Sequence, residues 1–261
     1  MKPTPQSLAR TYSDRVYPDP WEKVRDYRRV QAYAAENPTA GRVRVGNALE
    51  LPPSRVRGWL NDGQPDPVRG IQTAIDYGWL DPEPDSEIAA ALVELLGHVL
   101  AGGSISTTFV PALTPGQRVP LSTLHDVFTR VGVASRTRHT DATGRATEVL
   151  PTAAASVLGR CLVAMGAPQG DKTTLEQLPP VVREIPASVQ RAFVRVYIAH
   201  RGYVHDAKAT TQFLEARSNA YRRELVALIR SVVAAPVTYE DGLLTVSAAA
   251  MRELDLADET V

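Results

Sequence analysis

Cysteine and lysine are scarce in this 261-residue chain, which holds one of the first and four of the second. A lone Cys161 cannot close an internal disulfide or supply a cysteine-rich zinc site. Its place on the stripe Ala154, Val157, Leu158, Cys161 and Leu162 predicts a packed thiol. No apolar run approaches the roughly 20 residues that span a bilayer, and the opening MKPTPQSLARTYSDR lacks the apolar stretch of a secretory signal. A cytoplasmic protein without a membrane partner is expected. Catalytic signatures are missing as well. The segment AGGS at 101–104 follows a helix instead of opening one, so it makes no phosphate cradle, and no GxSxG or Cys/His pairing suggests acyl transfer. His98, His125, His139, His200 and His205 lack the i, i+4 spacing of a zinc pair and are expected as packed or surface residues.

Charge is balanced but unevenly spread. The 29 basic residues match 29 acidic ones, so bulk charge alone predicts no polyanionic partner. Residues 23–69 nevertheless carry 9 bases against 5 acids, and residues 115–230 carry 16 against 9. The compensating acids lie in 70–114, which includes DPEPDSE at 81–87, and in the segment after 230. Positive tracts of this size suit a phosphate backbone and equally an ordinary solvated face. Arginine supplies 25 of the 29 positive charges, and its planar fork matches phosphate and guanine better than lysine does.

Residues 1–20, with Pro3, Pro5, Pro18 and Pro20, are polar and aperiodic and predict a flexible arm. Residues 21–80 predict an all-α domain, with helices over 21–36, 39–49 and 67–79 flanking a fourth. The stretch VGNALELPPSRVRGWL at 45–60 has the pattern of a helix-turn-helix. Small Gly46 and Ala48 allow a close crossing, and Val56, Trp59 and Leu60 hold the second helix down. Ser54 is the expected cap. Arg55, Arg57 and Asn61 would then face away from the core towards base edges or phosphates, with Arg42 and Arg44 anchoring phosphates. Glu50 stands where such turns usually hold glycine, which predicts a strained or differently wound turn. A three-helix bundle that binds only protein is the alternative. A linker follows at 81–86.

From 87 to 254 one order of elements occurs twice, once over about 87–166 and once over about 187–254, before an acidic tail at 255–261. Each copy reads as helix, strand, helix, hairpin, helix. The first has a helix over 87–101, a strand over 104–113, a helix over 122–131, a hairpin over 134–151 and a helix over 153–165. The second has 187–200, 203–217 with a break near Asp206, 219–233, 237–247 turning on Asp241-Gly242, and 248–254. The predicted class is α+β: two buried lead helices packed together, with two sheets diverging to form a concave, saddle-like surface.

Two nonamers close the lead helices. Leu95–Gly103, LLGHVLAGG, resembles the first LAGLIDADG motif of the homing-endonuclease and intein family, and Val194–Gly202, VRVYIAHRG, is similar to the second. The bridge GAPQGDKTTLEQLPPVVREIPASVQRAF also resembles the segment between that family's repeats. Residues 42–61 are similar to the homeodomain-like helix-turn-helix of bacterial and archaeal regulators and of transposase-type proteins.

The family's two metal-holding acids align with Gly102 and Arg201. Glycine offers no side-chain oxygen, and a guanidinium repels a divalent cation. Rescue by Asp206 would need it to swing back past Tyr203. Val196 and His200 replace residues that are usually small at the helix interface. The resemblance therefore implies a non-enzymatic, sequence-specific double-stranded DNA-binding protein without metal or cofactor. It would be a prokaryotic, nucleoid-associated transcriptional regulator, working as a monomer or weak dimer. Arg136, Arg138, Arg145, Arg201, Lys208, Gln212 and Arg217 are the expected contacts from the sheets. The rivals are an active metal-dependent homing endonuclease and a protein-interaction module.

Overall fold

The computed structural model describes residues 2–140, 142–205 and 208–257, apart from the side chains of 204, 205, 208 and 209. It divides into two compact units, Thr4–Asp76 and a second that runs from Tyr77 onward and includes the residues up to Pro3.

The first unit is helical. Its opening is not the flexible arm expected from composition. Helix α1 (Pro5–Ala9) starts at a reciprocal cap in which Thr4 Oγ1 accepts from the Ser7 amide and Ser7 Oγ accepts from the Thr4 amide at 2.8 Å. It buries Leu8 and Ala9 and packs against α5 (Asp66–Asp76). Five residues are too few to show helical periodicity, so the pattern misses this helix. Helix α2 (Pro20–Glu36) is capped by Asp19, and Asn37-Pro38 ends it as the sequence predicts. Helices α3 (Arg42–Leu49) and α4 (Pro53–Leu60) pack on each other and on α2. Val30, Val45, Leu51, Val56, Trp59 and Tyr17 form the core, with Tyr27 edge-on to Trp59 at 5.9 Å.

Trp79 belongs to the second unit and not to the helical domain it was expected to close. It is fully buried, stacks on Tyr77 with ring centroids 4.4 Å apart, and its indole N–H donates to the Val131 carbonyl at 2.8 Å.

The second unit is α+β. Helix α6 (Glu87–Gly102), capped by Ser86, leads into β1 (Gly103–Ile105) and β2 (Pro111–Leu113). Then come α7 (Leu121–Arg130), β3 (Ser135–Arg138), β4 (Glu148–Pro151) and α8 (Ala155–Ala164). A bridge with 3-10 turns at Lys172–Thr174 and Pro180–Arg183 reaches α9 (Ala187–Arg201). After it lie β5 (Tyr203–His205), β6 (Lys208–Leu214), α10 (Asn219–Val232), β7 (Val237–Glu240), β8 (Leu243–Val246) and α11 (Ala248–Glu253).

Two four-stranded antiparallel sheets result, ordered β1-β2-β4-β3 and β5-β6-β8-β7, so the second repeats the first strand for strand. The single strand expected over 104–113 is a hairpin. Phe109 takes a left-handed φ of 62° at its tip, and Gly103 pairs with Leu113. The β7–β8 turn falls on Asp241 and Gly242, both left-handed at φ 47° and 86°, as Asp-Gly between two strands predicts. No helix of the described residues is long and apolar enough to cross a membrane.

Candidate nucleic-acid interface

In the first unit the turn between α3 and α4 is short because Glu50 itself takes the left-handed conformation, φ 57° and ψ 39°, with no added residues. Gly46 makes this possible: a Cβ there would lie 2.7 Å from the Leu51 carbonyl oxygen. Helix α4 starts at Pro52 and Pro53, and Ser54 sits exposed in its first turn instead of capping it. Proline at the first helical position is preorganised and gives up an amide that would be orphaned anyway, so no side-chain cap is needed.

Ser54 and Arg57 are exposed at i and i+3 on the outward side of α4, and Asn61, exposed as well, is the residue that ends the helix. Arg42, Arg57 and Asn61 line one surface depression together with Asn37 and Leu60, while Arg42 and Arg44 are exposed on α3. Arg55 departs from the expected outward role. Its Nη1 donates to the Tyr17 hydroxyl at 2.8 Å, its guanidinium lies 4.6 Å from the Tyr17 ring centroid, and Tyr17 donates to Asp26 at 2.9 Å. Burial and the Asp26 carboxylate push the Tyr17 phenol up to about 12, so it stays a neutral donor under Arg55.

In the second unit α7 covers one face of the first sheet, where His125 bonds Ser135 at 2.7 Å and Thr137 at 2.9 Å. Arg136 and Arg138 therefore point to the opposite face, and both are exposed. Arg138 pairs there with Glu148 across the strands at 2.8 Å. Arg145 is exposed in the β3–β4 loop. On the corresponding face of the second sheet, Tyr203, Gln212, Thr245 and Thr238 stand in one row, and Gln212 donates to Thr245 Oγ1 at 2.9 Å. Asp206 and the Lys208 side chain lie outside the described residues.

Arg217 is not on that face. It is 5% exposed, donating to Tyr197 at 2.7 Å, Glu215 at 3.1 Å, the Leu100 carbonyl at 2.6 Å and the Lys172 carbonyl at 3.0 Å. Tyr197 in turn donates to Glu215, and Tyr221 to Tyr197 at 3.3 Å. Burial drives the Tyr197 phenol well above its ordinary range and Tyr221 to about 12. The strand's own alternation carried the signal. Thr211 and Phe213 face inward, so Glu215 and Arg217, two and four residues past Phe213, continue the inner face.

Helices α6 and α9 pack against each other. Two glycines of α6 sit under large side chains of α9 in this interface. A Cβ at Gly97 would lie 3.2 Å from Phe193 and 3.3 Å from Val196, and one at Gly102 would lie 2.1 Å from Nδ1 of His200. His98 Nδ1 and His200 Nε2 are 2.7 Å apart. Burial, then the neighbouring His200, lowers His98 to about 3; burial, then Lys172, lowers His200 to about 4, so both rings are neutral near pH 7. Scanning for i, i+4 pairs missed this couple because it spans two helices. Gly102 is closed over by the His200 ring, and Arg201 Nη2 donates to the Leu214 carbonyl at 2.7 Å, at the two positions where the sequence resemblance leads one to look for acids. Cys161 is buried, and burial pushes its thiol up to about 12, in keeping with a packed role.

Comparison with family models gives no match, and comparison with curated proteins gives none either.

Proposed function

We propose that this protein is a non-enzymatic, sequence-specific double-stranded DNA-binding protein, a transcriptional regulator that joins a helix-turn-helix to a degenerate LAGLIDADG domain. The observation that carries the reading is the doubled strand order, β1-β2-β4-β3 and β5-β6-β8-β7, each sheet led by a helix and the two lead helices in contact. A duplicated unit with an uncovered face on each sheet suits the twofold backbone of a duplex. The exposed Arg136 and Arg138 on one such face, and Gln212 on the other, supply donors for phosphates and base edges. In the first unit the exposed Ser54 and Arg57, with Asn61 at the helix end, form the outward side that a recognition helix turns to the major groove, with Arg42 and Arg44 on α3 for the backbone.

Loss of cutting in this reading follows from Gly102 and Arg201. The first is covered by an imidazole and the second is a permanent cation tied to a carbonyl. Two experiments separate the proposal from its rivals. Incubated with a supercoiled plasmid library and Mg²⁺ or Mn²⁺, the protein should leave the plasmids intact; double-strand cuts abolished by EDTA would establish a nuclease instead. In a salt titration of duplex affinity, log K should fall linearly with log salt, and salt-independent binding would favour a protein partner.

A further inference from the structure

We propose that the outer face of the second sheet selects an adenine–thymine pair in the major groove, with Gln212 reading the adenine, Thr245 orienting Gln212 and Leu214 meeting a thymine methyl. The inference rests on the DNA reading above and adds which bases this face selects.

The strands fix the three side chains by alternation. Thr211 and Phe213 are buried, so Gln212 and Leu214 turn outward on β6, and the buried Leu244 and Val246 put Thr245 outward on β8. Gln212 stands directly opposite Thr245, and its Nε2 donates to Thr245 Oγ1 at 2.9 Å. That bond uses one of the two amide N–H groups and leaves the other, together with the amide oxygen, for a ligand. A side chain already held by its neighbour has less rotamer freedom to lose on binding.

The free groups favour one base. A glutamine amide presents an acceptor beside a donor, and the major-groove edge of adenine answers with the N6 amino donor beside the N7 acceptor. Guanine shows two acceptors there, O6 and N7, and one of them would face the amide oxygen. Leu214 is a large apolar side chain, 65% exposed on the same face. Two residues along a strand span about 7 Å, or about two base-pair steps, which puts Leu214 within reach of a thymine methyl in an adjoining pair. The corresponding face of the first sheet carries the exposed Arg136 instead, whose fork matches O6 and N7 of guanine. The two sheets therefore repeat one strand order with different chemistry, and an asymmetric target site follows.

The test uses the full chain and the tightest-bound duplex from a random library, with affinities read by fluorescence anisotropy. In wild type, replacing one adenine–thymine pair of that site by guanine–cytosine should weaken binding about 5- to 150-fold. At the same position 7-deazaadenine, which lacks only the N7 acceptor, should weaken it about fivefold. Gln212→Ala should bind all three duplexes alike, and Gln212→Arg should prefer guanine–cytosine there. Thr245→Val should keep the preference at a smaller ratio. Deoxyuridine for a neighbouring thymidine should weaken wild type and leave Leu214→Ser unaffected. Thermal melting checks that each variant folds, and the base-analogue measurements on wild type depend on no variant. The inference is overturned, with the DNA reading left standing, if wild type tolerates 7-deazaadenine at every position of its selected site or if every adenine–thymine preference survives Gln212→Ala. A wild type that binds no duplex overturns both.

Discussion

His98 Nδ1 lies 2.7 Å from Nε2 of His200, joining the two central helices of the second unit through a pair of neutral imidazoles. Both rings are held below the ordinary imidazole range, at about 3 and about 4. In the unfolded chain each takes up its proton near pH 6.5. A group with a depressed folded pKa contributes stability that is fully present above the unfolded value and is lost as pH falls towards the folded one. Stability should therefore fall between pH 6.5 and about 4, by up to about 1.4 kcal/mol per pH unit for each ring protonated only when unfolded. Urea unfolding across this range should show a flatter pH dependence in His98→Leu/His200→Gln. An unchanged slope would place the pair's titration elsewhere.

The same interface predicts a coupled pair at Gly102 and His200. A methyl at Gly102 would meet Nδ1 of His200 at 2.1 Å, so Gly102→Ala should cost about 1–3 kcal/mol. Much of that cost should vanish when His200→Ala is already present, and a double-mutant cycle in urea measures the coupling. Additive effects would mean that the ring moves aside freely.

At the turn of the first unit, two substitutions should act in opposite directions. Glu50→Gly removes a left-handed non-glycine residue and a carboxylate, and should stabilise this unit by about 1 kcal/mol while tightening duplex binding. Gly46→Ala drives a methyl against the Leu51 carbonyl and should destabilise it by about 1–3 kcal/mol. Thermal melting and fluorescence anisotropy on the same samples read both effects.

Buried Arg217 and exposed Arg57 should behave as opposites. Arg217→Gln leaves Glu215 buried without its cation, a loss of about 3–5 kcal/mol, with the salt slope of duplex binding unchanged while the protein stays folded. Arg57→Gln should leave stability within about 0.5 kcal/mol and reduce discrimination at one base pair by about 1–3 kcal/mol. Arg42→Gln and Arg44→Gln should weaken all sequences alike. Tyr17→Phe, which removes the hydroxyl under Arg55, tests whether the tethered arginine contributes to base reading.

Elements with long apolar periodicity were legible from sequence: α2, α6, α9 and α10 fall where the repeats of Val, Leu and aromatic residues put them, and Asp241-Gly242 marked its hairpin. Short or tertiary features were not. Helix α1 is defined by a cap and two buried residues instead of a period. A run of apolar spacing cannot show that Gly102 faces His200 across a helix pair, because that contact is 98 residues apart in sequence. Arg217 was misread through charge when strand parity with Phe213 would have turned it inward.

Selection of bound fragments from a random duplex library, followed by affinity measurement on the winners, tests the central reading most directly. The account predicts enrichment of a defined sequence bound at least about a thousandfold more tightly than random duplex at physiological salt. A library that emerges without any enriched sequence would contradict it.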